Sequence, residues 1–74
     1  MIPLSLMESG KRVKIKKIIG GKGVMSKLKE MGILEGENLC ILTNCNGPVI
    51  VVKDNLRFAL GRGISHKILV EEVS

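Results

Sequence analysis

Gly23-Val24-Met25-Ser26-Lys27-Leu28-Lys29-Glu30-Met31-Gly32-Ile33-Leu34-Glu35-Gly36 decides how the chain folds. Val24, Leu28 and Met31 recur at i, i+4 and i+7, the apolar stripe of a 3.6-residue period, and predict a short helix over 23–31. Lys22, Lys27 and Lys29 lie off that stripe and face water. Gly32 stands where a left-handed C-terminal cap is wanted, since a residue without Cβ takes positive φ at no steric cost. Ile33 and Leu34 fall where an apolar contact seals such a cap. Gly36 then turns the chain into a strand. The other segments read as strand, so this is the one substantial helix.

Upstream, Pro3 to Met7 predicts a short edge strand or anchoring segment, with Leu4 and Leu6 alternating around Ser5. Glu8-Ser9-Gly10 is a turn. Lys11 to Ile19 is a strand with Val13 and Ile15 on one face and Arg12, Lys14 and Lys16 on the other. The alternation slips at Lys16-Lys17, which a β-bulge or a strong bend there accounts for. Downstream, Leu39 and Ile41 alternate with Asn38, Cys40 and Leu42. Asn46-Gly47-Pro48 marks a turn. Val49 to Lys53 is continuously apolar up to its lysine and predicts a buried strand. A turn at 53–55 leads to Leu56, Phe58 and Leu60 in alternation. Gly61 to Ser65 is a break with room for one 3₁₀ turn, and His66 to Val73 is the last strand. About five short antiparallel strands and one helix predict a mainly β fold, a small closed barrel forming one domain over 1–74.

Seventy-four residues bury a modest core, and with one aromatic, Phe58, that core is aliphatic. No apolar run approaches the roughly 20 residues that span a bilayer. The first residues lack a basic segment followed by a long apolar one, so no signal peptide is expected and the chain reads as cytoplasmic. Cys40 and Cys45 are then expected as free thiols. The net charge of +5 is unevenly placed. Lys11, Arg12, Lys14, Lys16, Lys17, Lys22, Lys27 and Lys29 occur with no acid among them. The remaining residues carry four bases against seven acids, a net of −3. The basic face is therefore Lys11, Arg12, Lys14, Lys16, Lys22 and Lys29, on the first long strand and the helix.

Familiar chemistry fits poorly. Gly20-Gly21-Lys22-Gly23 precedes a helix, but a P-loop lysine is followed by Ser or Thr and here Gly23 follows. Cys40, Cys45 and His66 do not have the spacing of a structural zinc site. Met25 and Met31 are six apart and suit helix packing better than a thioether site. Glu35 and Glu37 flank a turn and read as surface charges. No nucleophile–base pair stands out, so no enzyme is expected. A basic face can meet phosphates, but stacking on bases needs aromatics and only Phe58 is present. An acidic protein or an anionic membrane surface suits the charge as well.

The run Leu28-x-x-Met31-Gly32-Ile33-Leu34-x-Gly36, then Gly47-Pro48-Val49-x-Val51, Arg57-Phe58-Ala59-Leu60 and Ile68-x-Val70, resembles the FeoA family of small cytoplasmic ferrous iron transport proteins. It is also similar to the SH3-like domain that ends iron-dependent repressors. The resemblance covers about Leu4 to Val70. It implies an SH3-like barrel and a place in iron transport and transition-metal-ion binding, without offering a ligand set for this chain. No metal-ligating residue and no cofactor are assigned. It further implies an accessory that regulates or scaffolds FeoB, the ferrous iron transporter of the membrane, from its cytoplasmic side. The partner surface would lie at Lys27, Leu28, Met31, Gly32 and Ile33. The chain would be peripheral to the membrane through that partner, and no nucleic acid is expected. The alternative is a nucleic-acid-binding SH3-like module or a regulator-type domain. Gly61-Arg62-Gly63-Ile64-Ser65 is less charged than the corresponding turn of relatives.

Overall fold

A computed structural model describes residues 1–73. Its order of elements is β1 (Ile2–Pro3), a 3₁₀ turn (Leu4–Leu6), β2 (Arg12–Ile18), α1 (Lys22–Glu30), β3 (Asn38–Thr43), β4 (Val49–Lys53), β5 (Leu56–Leu60), the single-turn helix α2 (Arg62–Ser65) and β6 (Ile68–Glu72). The strands form one antiparallel sheet in the order β1-β6-β2-β3-β4-β5. Its two outermost strands, β1 and β5, do not pair with each other. The curled sheet therefore stays open along one seam, where full closure was expected.

Period-2 alternation builds the core. Val13 and Ile15 of β2, Leu39 and Ile41 of β3, Val49 and Val51 of β4, Leu60 of β5, and Ile68 and Val70 of β6 are all buried. Leu4 and Met7 close one end, and Leu28 and Ile33 add the helix side. Of the bulge and the bend that fit the slip at Lys16-Lys17, the bulge is present: Ile15 faces Val70 and Lys17 faces Leu69, so Lys16 is the extra residue. The bulge returns Ile18 to the inner face. A second bulge was not foreseen. Ile41 faces Val51 and Thr43 faces Ile50, so Thr43 stays outward next to Leu42, which alternation already leaves 43% exposed.

Several expectations change. Pro3–Met7 is not a strand through its length. After a two-residue strand the chain winds into the 3₁₀ turn, so Leu4 is buried while Leu6 is exposed. The helix runs over 22–30, one residue earlier than 23–31, because Met31 is its C-cap. In β4 only Val49 and Val51 face the core; Ile50 and Val52 lie half-buried on the outer face. The break after Leu60 is α-helical, and it leaves His66 and Lys67 in a turn ahead of β6.

The start of the chain is tied down by polar groups on distant residues. Asn44 donates its side-chain amide to the carbonyls of Ser5 (3.0 Å) and Met7. Arg62 donates to the carbonyls of Ser5 (3.0 Å) and Cys45. The Ser5 hydroxyl and His66 Nδ1 are 3.1 Å apart. These contacts spend the polar side chains of the loops on anchoring the 3₁₀ turn.

Candidate functional site: the helix cap and its basic flank

The chain leaves β2 at the bulge, runs through α1 and returns to β3, and this excursion is fastened tightly. The C-terminus of α1 is a Schellman cap. Ile33 N–H donates to Leu28 O at 2.9 Å and Gly32 N–H to Lys29 O at 3.0 Å, with Gly32 at φ +74°. The apolar seal of that cap is Ile33 on Leu28, and neither side chain is exposed to solvent. Next, Glu37 N–H donates to Leu34 O at 3.1 Å, closing a turn with Gly36 at φ +92°. Gly36 N–H donates to Ile15 O at 2.7 Å, and Ile18 N–H donates to the Glu35 carboxylate at 3.1 Å. The return of the loop is thus bonded to β2 on both sides of its bulge.

Lys53, at the end of β4, braces the cap from the other side. Its ammonium lies 2.7 Å from the Asp54 carboxylate and 3.3 Å from that of Glu37, and its side chain is 12% exposed. The hydrogen bonds it donates to Asp54 first and Glu37 second hold its pKa above the ordinary lysine value. The same ammonium would lie 3.5 Å from a Cβ added at Gly32. Glu35 and Glu37, read from the sequence as surface charges, are therefore structural partners of a backbone amide and of Lys53. Nothing local in the sequence announces either pairing, because the two partners are supplied by other strands.

The residues assigned to a partner surface divide by burial. Leu28 and Ile33 are fully buried and offer no side chain to a partner. The helical stripe turns the first inward and the cap geometry the second. Lys27 is exposed, and Met31 and Gly32 are half-buried. Lys27 and Met31 are one turn apart on one flank of α1. Leu34, 40% exposed just past the cap, joins this surface although it had been placed with the sealing contact.

The basic residues divide too. Lys11 lies 3.4 Å from Glu72 and Lys16 3.7 Å from Glu71, because β6 pairs with β2. Lys14 is in register with Glu71, while Arg12 is exposed opposite Cys40. Among the described residues, Lys22, Lys27 and Lys29 have no carboxylate within ion-pair distance. Lys27 and Lys29 sit in the last turn of α1, where the helix dipole favours cations. Arg12, Lys14 and Lys17 of β2 likewise have none among the described residues, so the unneutralised charge is shared between the strand and the helix. Cys40 and Cys45 are exposed free thiols, and no group of three or more His, Cys, Asp or Glu among the described residues is placed to hold a metal ion.

Comparison with known proteins follows the same lines. The curated "Putative Fe(2+) transport protein A" of Methanocaldococcus jannaschii is 43% identical over 72 residues, covering 97% of this chain and 88% of that protein. A crystal structure of the iron uptake regulatory protein FeoA superposes with a TM-score of 0.91 at 32% identity, over 97% of both chains. A manganese-dependent transcriptional repressor shares the fold alone, with a TM-score of 0.91 at 19% identity, over 97% of this chain and 41% of that one. These likenesses identify the open β-barrel with its helix as the SH3-like fold. The FeoA domain family model matches residues 2–72, and with nearly the whole chain covered, the protein belongs to the FeoA family of ferrous iron transport.

Proposed function

We propose that the chain is a cytoplasmic, non-catalytic accessory of ferrous iron uptake, a single domain that regulates or scaffolds a FeoB-type membrane transporter by direct contact. The observation that carries this reading is the surface at the end of α1. Exposed Lys27 and Leu34 with half-buried Met31 and Gly32 form an apolar and basic corner on a base held by the Schellman cap, the Glu35 strap and Lys53. A rigid corner meets a partner without ordering entropy to lose. Leu28 and Ile33 support it from beneath. Lys22, Lys27 and Lys29 speed encounter with an acidic surface. The family and the names of the relatives supply the iron-transport context. No helix among the described residues is long and apolar enough to cross a membrane, and in this reading the chain reaches the bilayer through its partner.

The test is titration of the protein against the soluble cytoplasmic GTPase part of a FeoB-type transporter and against transporter-containing membranes. Wild type is expected to bind. Met31→Lys is expected to weaken binding about tenfold or more, the loss typical of a buried anchor. Lys27→Glu is expected to slow association with a smaller change in dissociation. Binding unchanged by Met31→Lys in a folded protein would remove the corner from the interface. No transporter binding, with nucleic acid co-purifying instead, would overturn the adaptor role.

A further inference from the structure

The open seam of the barrel leaves β5 with one hydrogen-bonded neighbour, β4. Lys53 and Leu56 pair across a two-residue turn whose Asp54 and Asn55 have φ of 51° and 67°. In a hairpin of that type the pair next to the turn exchanges both hydrogen bonds, and pairs then alternate. Lys53–Leu56, Val51–Phe58 and Val49–Leu60 are therefore the bonded pairs of the ladder. Arg57 and Ala59 face Val52 and Ile50 as the non-bonded pairs. Their N–H and C=O groups point away from β4, to the free edge. The strand has little of what usually protects an edge: it carries no proline and a single charge, Arg57. Beside it Leu56 is 59% exposed and Phe58 half-buried, although both belong to the row that Leu60 continues into the core.

We infer that this edge pairs with the β5 edge of a second copy of the chain, antiparallel and centred on Phe58. The register follows from the bonding groups and the charge. A two-fold axis at Phe58 sets Arg57 opposite Ala59 of the second copy, and Ala59 opposite its Arg57. These are the residues with outward N–H and C=O groups, so both pairs are bonded and no outward group between them is left over. The two Phe58 rings meet at the central non-bonded pair, where Cα atoms approach to about 4.5 Å. Each ring then lies diagonally over Leu56 of the other copy and covers the apolar row that the monomer leaves open. Arg57 gains a small residue opposite it. Asn55 falls opposite Gly61, which has no side chain to obstruct the turn. The register one step toward the turn would set Arg57 directly against Arg57, a like-charge pair that opposes assembly. The register one step the other way leaves only the Ala59 pair bonded. One five-residue strand from each copy is a small interface, so the dimer is a reversible one that concentration controls.

Sedimentation velocity of the full chain over a wide concentration range reads this directly. Wild type is expected to shift from 8.0 kDa toward twice that mass as concentration rises. Ala59→Pro removes an outward N–H that the β4 ladder does not use, and is expected to abolish the shift while circular dichroism and melting temperature stay close to wild type. Ala59→Glu serves as a second variant that does not depend on tolerance of proline. It sets a carboxylate opposite Arg57 of the other copy twice over, and is expected to tighten the dimer about 2- to 10-fold. A monomer at all concentrations, or a dimer indifferent to both variants, would overturn the inference. Weakening by Ala59→Glu would overturn the register.

Discussion

A methyl group at position 32 would find space and would still be strained. The nearest atom it would meet is Lys53 Nζ at 3.5 Å, an ordinary contact, so the penalty of a side chain there comes from the backbone at φ +74°. Gly32→Ala is expected to lower unfolding free energy by about 1–2 kcal/mol, and Gly32→Val by about 1–3 kcal/mol. Urea unfolding at constant slope measures both; an unchanged midpoint would show that the cap relaxes without loss. Lys53 makes a prediction of a different kind. Its pKa is raised in the folded chain by Asp54 and Glu37. A raised folded pKa means the contribution is complete below the unfolded value, about 10.4, and is lost as pH rises through the higher folded value. Wild type is therefore expected to lose stability on the alkaline side faster than Lys53→Met, with the two curves converging above the folded pKa. Parallel curves across that range would mean that the ammonium does not stabilise the cap.

At the scale of elements, α1 is a nine-residue helix, too short to persist in water by propensity alone. It forms because Leu28 is buried, Val24 and Met31 pack beside it, and its end is stapled to β2. Leu28→Ala is expected to destabilise by about 2–5 kcal/mol. Met31→Ser, at a half-buried position, is expected to cost about 1 kcal/mol and leave a folded chain. Equal losses at both positions by thermal unfolding would erase the distinction between support and surface. This helix was legible to within one residue, and so were its glycine cap and the Lys16 bulge, because each depends on local spacing. The 3₁₀ turn at 4–6 was not. Leu4-Ser5-Leu6 has the alternation of a strand, and what decides otherwise is Asn44 and Arg62 reaching the Ser5 carbonyl from 39 and 57 residues away. The outward side of β4 was hidden for a related reason. Val49-Ile50-Val51-Val52 shows no polar alternation, so residue type alone cannot separate its two faces.

For the whole molecule, the charge pattern was visible and its distribution in space was not. The sequence places eight bases in one block, but β6 lies beside β2 and sets Glu71 and Glu72 against Lys16 and Lys11. Such half-exposed pairs contribute at most about 1 kcal/mol each; their effect is to leave the surplus positive charge divided between Arg12, Lys14 and Lys17 of β2 and the lysines of α1. The candidate surface was legible at Lys27, Met31 and Gly32, where helical period and cap chemistry suffice. Leu34 and the burial of Ile33 depended on which way the chain turned after the cap, and Glu35, Glu37 and Lys53 on strand partners. The sheet order has one more consequence. β6 lies between β1 and β2, yet the ribosome makes it after every strand it touches. A nascent chain ending before Ile68 carries β2 with one flank bare and Val13 and Ile15 partly uncovered. During synthesis this domain completes its core only when Ile68 to Glu72 clear the exit tunnel.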